Sequence, residues 1–113
     1  MKIGAQVSCY LTEWDDIRKV AEHLDNGTWH SLYHADHFVP PNRPGASEAD
    51  TAFEGFLTLA SVASITTKLK LGHLVLGNPY RNPGLVAKMA GTIDHVSKGR
   101  FTLGIGAGWF ERE

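Results

Sequence analysis

The sequence holds a single cysteine, Cys9, among 113 residues. No internal disulfide can form, and a reducing cytoplasm is the expected setting. Charge of one sign is equally lacking, since 11 Lys and Arg against 12 Asp and Glu leave a net charge of -1. Without a basic cluster, a nucleic-acid surface or a polybasic membrane patch is not expected. Long apolar runs are missing too. The opening MKIGAQVSCY has no signal-peptide core, and no run approaches membrane-spanning length. What remains is an ordinary globular composition, 42% hydrophobic and 20% charged, in a length that fits one domain, residues 1–113, without an internal boundary.

Residues 3–8 form a short apolar run without helical spacing and predict a strand. Thr12, Glu13, Trp14 and Asp15 resemble a capping box, with Asp15 in the reciprocal position. Trp14, Ile17, Val20, Ala21 and Leu24 then recur at helical spacing, and Asn26 with Gly27 supplies the stop. Residues 29–35 read as a second strand, followed by a loop with Pro40, Pro41 and Pro44. A second helix is expected over residues 51–66, with Phe53, Phe56, Leu57, Ala60 and Ala63 on its buried face. Residues 69–76 read as a third strand. Asn82 and Pro83 mark a helix start, and Leu85, Val86, Met89, Ile93 and Val96 form its apolar stripe. Gly99 ends that helix, and a fourth strand follows from Phe101.

The resulting order, βαβαβαβ, implies an α/β fold with a parallel sheet and right-handed crossovers. Either a doubly wound open sheet or a barrel satisfies it. The open-sheet nucleotide fold places a glycine-rich turn after its first strand, and here that segment, Ser8 to Thr12 in order SCYLT, has no glycine. Polar and glycine residues follow strands two, three and four alike, which favours a barrel mouth built from several loops.

In such a barrel the working groups stand at the carboxyl ends of the strands. His37 is a candidate general base or hydrogen-bond donor to a bound ring, because imidazole titrates near neutral pH. Asp36 would orient it or meet a ligand directly. The alternative is that Asp36 caps the loop and His37 packs under the prolines. His30, His34 and Asp36 fall on one side of an alternating strand and His37 on the other. His30 and His34 would then lie roughly 13 Å apart, at about 3.3 Å per residue, too far for one zinc ion. Metal binding is therefore not expected. Gly104, Gly106 and Gly108 lack the GxGxxG spacing; they offer either close strand packing or backbone room for a phosphate or flat ring. Asn78 and Arg81 read as turn and surface residues or as partners for an anionic tail. Glu54 reads as a capping or solvated carboxylate, and His23, His73 and His95 as structural.

Three stretches then act together: DHF at 36–38, LGHLVLGNPYRNP at 71–83 and AKMAGTIDHVSKGR at 87–100. With LGIGAGWFE at 103–111, they resemble the luciferase-like monooxygenase family, most of all its deazaflavin (coenzyme F420) dependent branch. The resemblance implies a (β/α)8 TIM barrel that binds F420, or alternatively FMN, at its carboxyl-end mouth. It implies that Asp36 and His37 lie near the ring, with His37 the catalytic candidate for proton transfer. It also implies a bulge with a non-proline cis peptide at Leu74–Val75 behind the ring, and cofactor contacts from Gly77, Asn78, Gly106, Ala107 and Gly108. The sequence departs from the family at residues 25–28, DNGT, where a shorter glycine turn is usual. It departs again at Trp109, where sugar-phosphate-oxidising members carry an acidic residue, so that substrate is not implied.

A whole barrel takes roughly 250 residues. The expectation is therefore the N-terminal half of a barrel, a fragment of a longer enzyme that is inactive alone, or a half completed by a second copy as a homodimer. Two functions follow: hydride transfer between F420 and a small organic substrate, with an FMN- and oxygen-dependent monooxygenase as its variant, or a non-catalytic half-barrel serving assembly.

Overall fold

The computed structural model describes residues 1–41 and 43–113. Four short parallel strands pair in the order β1 (Gly4–Gln6), β2 (Ser31–His34), β3 (Lys70–His73) and β5 (Phe101–Thr102). A second parallel pair, β4 (Leu76–Gly77) with β6 (Ile105–Gly106), continues β3 and β5 toward their carboxyl ends. Helices α1 (Trp14–Asn26), α2 (Gly55–Ile65) and α3 (Pro83–Val96) make the crossovers. This is the α/β arrangement expected of part of a parallel barrel.

Strand alternation sorts the two faces. Ala5, Leu32, Leu71 and Phe101 stand in register across the sheet and pack against Ile17, Ala21 and Leu24 of α1, Phe56, Leu59 and Val62 of α2, and Val86 and Ile93 of α3. The opposite layer is Gln6, Tyr33, Gly72 and Thr102. There the Tyr33 ring lies over Gly72, at a distance where a β-carbon would meet it 3.0 Å away. The helices thus cover one face, and the other is the inside of the curve.

Local signals set the helix ends. Asn82 accepts a hydrogen bond from the Gly84 N–H, with Pro83 at the first helical position. Gly27 caps α1 by donating its N–H to His23 and Leu24. Gly99 adopts φ +78° and donates to the Asp94 carbonyl. The capping box at Thr12 does not form. Glu13 is the N-cap and makes no side-chain capping bond. The chain arrives there through a bridge between Tyr10 and Ala52, with Leu11 at φ +52° donating its N–H to the Thr51 carbonyl. That tertiary tie decides where the first turn begins.

The buried stripes also differ from expectation. Val20, Leu57, Leu85 and Val96 are exposed. In α2 the buried set is Phe56, Thr58, Leu59, Val62 and Ala63. Because its sequence, GFLTLASVASI, is apolar almost all round, periodicity cannot choose the inward face; packing between α1 and α3 does.

The third and fourth strands are each interrupted. Leu71 pairs with Phe101, yet Leu76 pairs with Ile105, so the third strand carries one extra residue over that span. This is a β-bulge. The Leu74–Val75 peptide within it is cis.

Candidate functional site

The carboxyl ends of β2, β4 and β6 meet at one rim, and a buried ion pair fixes them there. Asp36, 2% exposed, receives two hydrogen bonds from the Arg81 guanidinium at 2.6 and 2.8 Å and a third from the Gly77 N–H at 3.0 Å. Arg81 also pairs with Glu54, the residue that caps α2 by accepting from the Leu57 N–H. Burial pushes the Asp36 carboxyl up, but the Arg81 and Gly77 bonds and the Arg81 charge outweigh it and hold Asp36 below the usual carboxylate range. Its hydrogen bonds to Asp36 raise Arg81 in turn. Asp36 is therefore fully engaged by protein and does not bond to His37. Arg81 is neither a surface residue nor an exposed anion binder; it joins the end of β2, the start of α2 and the turn after β4. Gly55 is required by the same packing, since a β-carbon there would come within 2.8 Å of Asp36.

The next residue points the other way, into the mouth. His37 lines a cleft of about 550 Å³ together with Asp36 and with Leu74, Val75 and Gly77 of the bulged strand. Gly106, Ala107 and Gly108 form its facing wall. Eight of the nine expected site residues thus share one cleft. Asn78 does not: it is exposed at the start of a 3-10 turn, Asn78–Tyr80, and does not line the cleft. The glycines serve packing as well as access. A β-carbon on Gly104 would lie 2.2 Å from the His73 carbonyl oxygen, and one on Gly106 would lie 2.4 Å from Val75. Both let the bulged strand press against its neighbour. Leu74 and Val75 are 52% and 41% exposed and give the cleft an apolar floor.

Glu113 completes the arrangement. Its buried carboxylate lies 2.7 Å from His37 Nδ1 and accepts from the N–H groups of Phe38, at 2.6 Å, and Val39, at 3.1 Å. The Tyr80 hydroxyl donates to it as well. Burial works against the Glu113 charge, but the four donors outweigh it and lower its pKa. Tyr80, by burial and by that same carboxylate, is pushed up to about 12 and stays a donor. With Nδ1–H directed at Glu113, Nε2 is the imidazole nitrogen left for chemistry, and the ring is steadied by edge contacts with Tyr10 and Trp109. A carboxylate-held imidazole beside an apolar, backbone-walled cleft can exchange a proton with a bound molecule.

The remaining histidines do other work. His34 donates Nδ1–H to the Val7 carbonyl on the helix-facing side. His73 lies between Phe56 and Phe101, its pKa depressed to about 4 chiefly by burial. Cys9 is buried, and burial raises its thiol to about 11. Among the described residues, no group of three or more His, Cys, Asp or Glu side chains could hold a metal ion, and no helix is long and apolar enough to cross a membrane. Sequence reasoning missed Glu113, Arg81 in its buried role, Tyr80 and Gln6. Each acts through the fold, so no local spacing marks it.

Residues 2–113 match the family described as luciferase-like monooxygenase. A 4-hydroxyprotoasukamycin monooxygenase of Streptomyces nodosus subsp. asukaensis is 35% identical over 98 residues, which is 87% of this chain and 24% of that protein. Among solved structures, the coenzyme F420 dependent tetrahydromethanopterin reductase of Methanopyrus kandleri superposes with a TM-score of 0.78 at 22% identity, covering 96% of this chain and 27% of that one. The oxygenating constituent of 3,6-diketocamphane monooxygenase of Pseudomonas putida, in complex with FMN, gives 0.79 at 22% identity over 99% and 31%. At such identities the two structures speak to fold alone. The chain spans about a quarter of the length of that curated relative.

Proposed function

The chain belongs to the luciferase-like monooxygenase family, and from that premise we propose that it contributes the cofactor-side wall of a flavin-type oxidoreductase acting on a small organic substrate. The favoured cofactor is the deazaflavin F420. The observation that carries this reading is the His37–Glu113 pair, 2.7 Å apart, on the wall of a cleft floored by Leu74 and Val75 and faced by residues 106–108, none larger than alanine.

The residues present fit a flat heterocycle. The apolar floor suits a ring face, the facing backbone admits a ring edge, and a cleft of about 550 Å³ lies in the range for such ligands. No Lys or Arg is among the described lining residues, so a phosphate-bearing tail would extend away from this wall. Bound there, a deazaflavin supplies two-electron hydride chemistry, whereas reduced FMN would supply oxygen activation. The protein orients. Asp36, locked by Arg81, sets the backbone from which His37 projects, and Glu113 holds the Nδ1–H tautomer. His37 Nε2 then gives or takes the proton that accompanies a change at the substrate. Gln6 braces the bulge by donating its side-chain N–H to the Leu74 carbonyl, at 3.2 Å.

The monooxygenase reading is kept as the second, favoured by the 35% identity to a monooxygenase. Titration of the full-length enzyme with F420 and with FMN, each oxidised and reduced, tests the choice. Tight FMN binding with no F420 binding would transfer the assignment to oxygen chemistry. Sedimentation of the 113-residue chain tests the assembly role, which a compact, stable dimer would support.

A further inference from the structure

A second hollow, again about 550 Å³, opens beside the first. The two share Tyr80, Ala107, Gly108 and Trp109. Its walls are two aromatic pairs. Phe38 and Tyr80 lie with ring centroids 4.7 Å apart, and Trp109 stacks on Phe110 at 5.2 Å with planes inclined by 19°. Large apolar surface is left open here: Trp109 is 66% and Phe38 45% exposed. Ring faces grouped in this way are suited to accept another flat ring.

Charge narrows the choice of occupant. The only ionisable side chains among the described lining residues, apart from the Tyr80 phenol, are Glu111 and Glu113. Arg112, between them in sequence, is directed away, to the Ala46 carbonyl and the Glu48 carboxylate. Among the described lining residues, a phosphate or carboxylate entering the hollow would meet the Glu111 carboxylate and no cation, the Glu113 carboxylate being buried against its four donors.

We propose that this aromatic hollow is the substrate subsite and that it takes an uncharged, flat aromatic or conjugated compound while rejecting phosphorylated and other anionic ones. The assignment rests on the reading of the neighbouring cleft as the cofactor site, because the shared Tyr80–Trp109 rim is what brings a ring in one hollow beside a ring in the other. Specificity here comes from Phe38, Tyr80, Trp109 and Phe110 rather than from a polar clamp.

The test uses naphthol and naphthyl phosphate as probes, with the Trp109 indole N–H resonance and tryptophan fluorescence as readouts, in the presence and absence of F420 or FMN. Naphthol is expected to shift the Trp109 resonance and to bind at least about tenfold more tightly than naphthyl phosphate. Trp109→Ala should weaken naphthol about tenfold, whereas Trp109→Phe, which keeps an aromatic face, should retain most of the affinity. Glu111→Lys should narrow the preference for the neutral probe. Equal or tighter binding of the phosphate, or naphthol binding indifferent to Trp109→Ala in a protein of unchanged circular dichroism, overturns the proposal. Competitive displacement of naphthol by cofactor would also overturn it, by putting the probe in the first cleft. If neither F420 nor FMN binds while the naphthol results hold, the cofactor reading fails and the neutral-ring site stands.

Discussion

Replacing Arg81 by Met tests whether a buried ion pair organises the mouth. The guanidinium side chain is 7% exposed and Asp36 beneath it 1%, so the variant would strand a carboxylate that keeps only the Gly77 N–H. Removing one partner of a buried pair typically costs about 3–5 kcal/mol, against about 0–1 for an exposed one. Glu54 adds little to this cost, since its side chain is 30% exposed and still accepts from the Leu57 N–H. The sign of the pH dependence discriminates further. In the native protein Asp36 sits below its ordinary value, because the Arg81 and Gly77 bonds outweigh burial. Such a group contributes stability that is present above the unfolded pKa of about 3.9 and is lost as pH falls through the folded value. In Arg81→Met burial dominates, the folded value rises above the unfolded one, and the ionised group destabilises increasingly as pH rises. Urea denaturation of the two proteins should therefore show a gap of about 3–5 kcal/mol near neutrality that closes below about pH 4. Adding Asp36→Asn to Arg81→Met should recover part of the loss. A neutral-pH gap under about 1 kcal/mol, or one that is constant with pH, would refute the account.

Three further outcomes are expected. Glu113→Gln should release the Nδ1–H tautomer of His37, visible as a change in imidazole nitrogen shifts, while leaving the circular dichroism spectrum unchanged; an unaltered tautomer would count against the pairing. His37→Ala in the active enzyme should lower kcat by about 10²–10⁴ with cofactor affinity retained, the range for loss of a general acid–base group; unchanged turnover would remove His37 from the chemistry. Gly104→Ala should destabilise by more than Gly106→Ala, since its β-carbon would meet a backbone oxygen at 2.2 Å rather than a valine methyl at 2.4 Å; thermal melts giving the reverse order would show that the sheet, not Val75, yields.

How far the site could be read in advance differs from residue to residue. His37 and Gly106 were legible as candidates because each stands at the carboxyl end of a strand, and in a parallel sheet with one-handed crossovers all such ends face the same way, whereas the Leu74–Val75 bulge was expected from the family resemblance alone. Asn78, a cofactor contact by the resemblance and a turn residue by its own chemistry, falls outside the cleft, because a 3-10 turn begins at it and carries it to the surface. Asp36 was recognised as a site residue, but its engagement by Arg81 was not.

The sequence by itself determined the alternation of strands and helices, the parallel order, the helix start at Asn82 and the stops at Gly27 and Gly99. The helix ends rest on bonds between residues a few positions apart, and the parallel order follows from the alternation itself through one-handed crossovers, so these signals are written along the chain. Tertiary structure decided which face of α2 is buried, where α1 begins, and the two ties that assemble the mouth. Arg81 reaches Asp36 across 45 positions and Glu113 reaches His37 across 76. Such partners meet only after the sheet has curved and its strand ends have converged, and no spacing along the chain encodes that meeting.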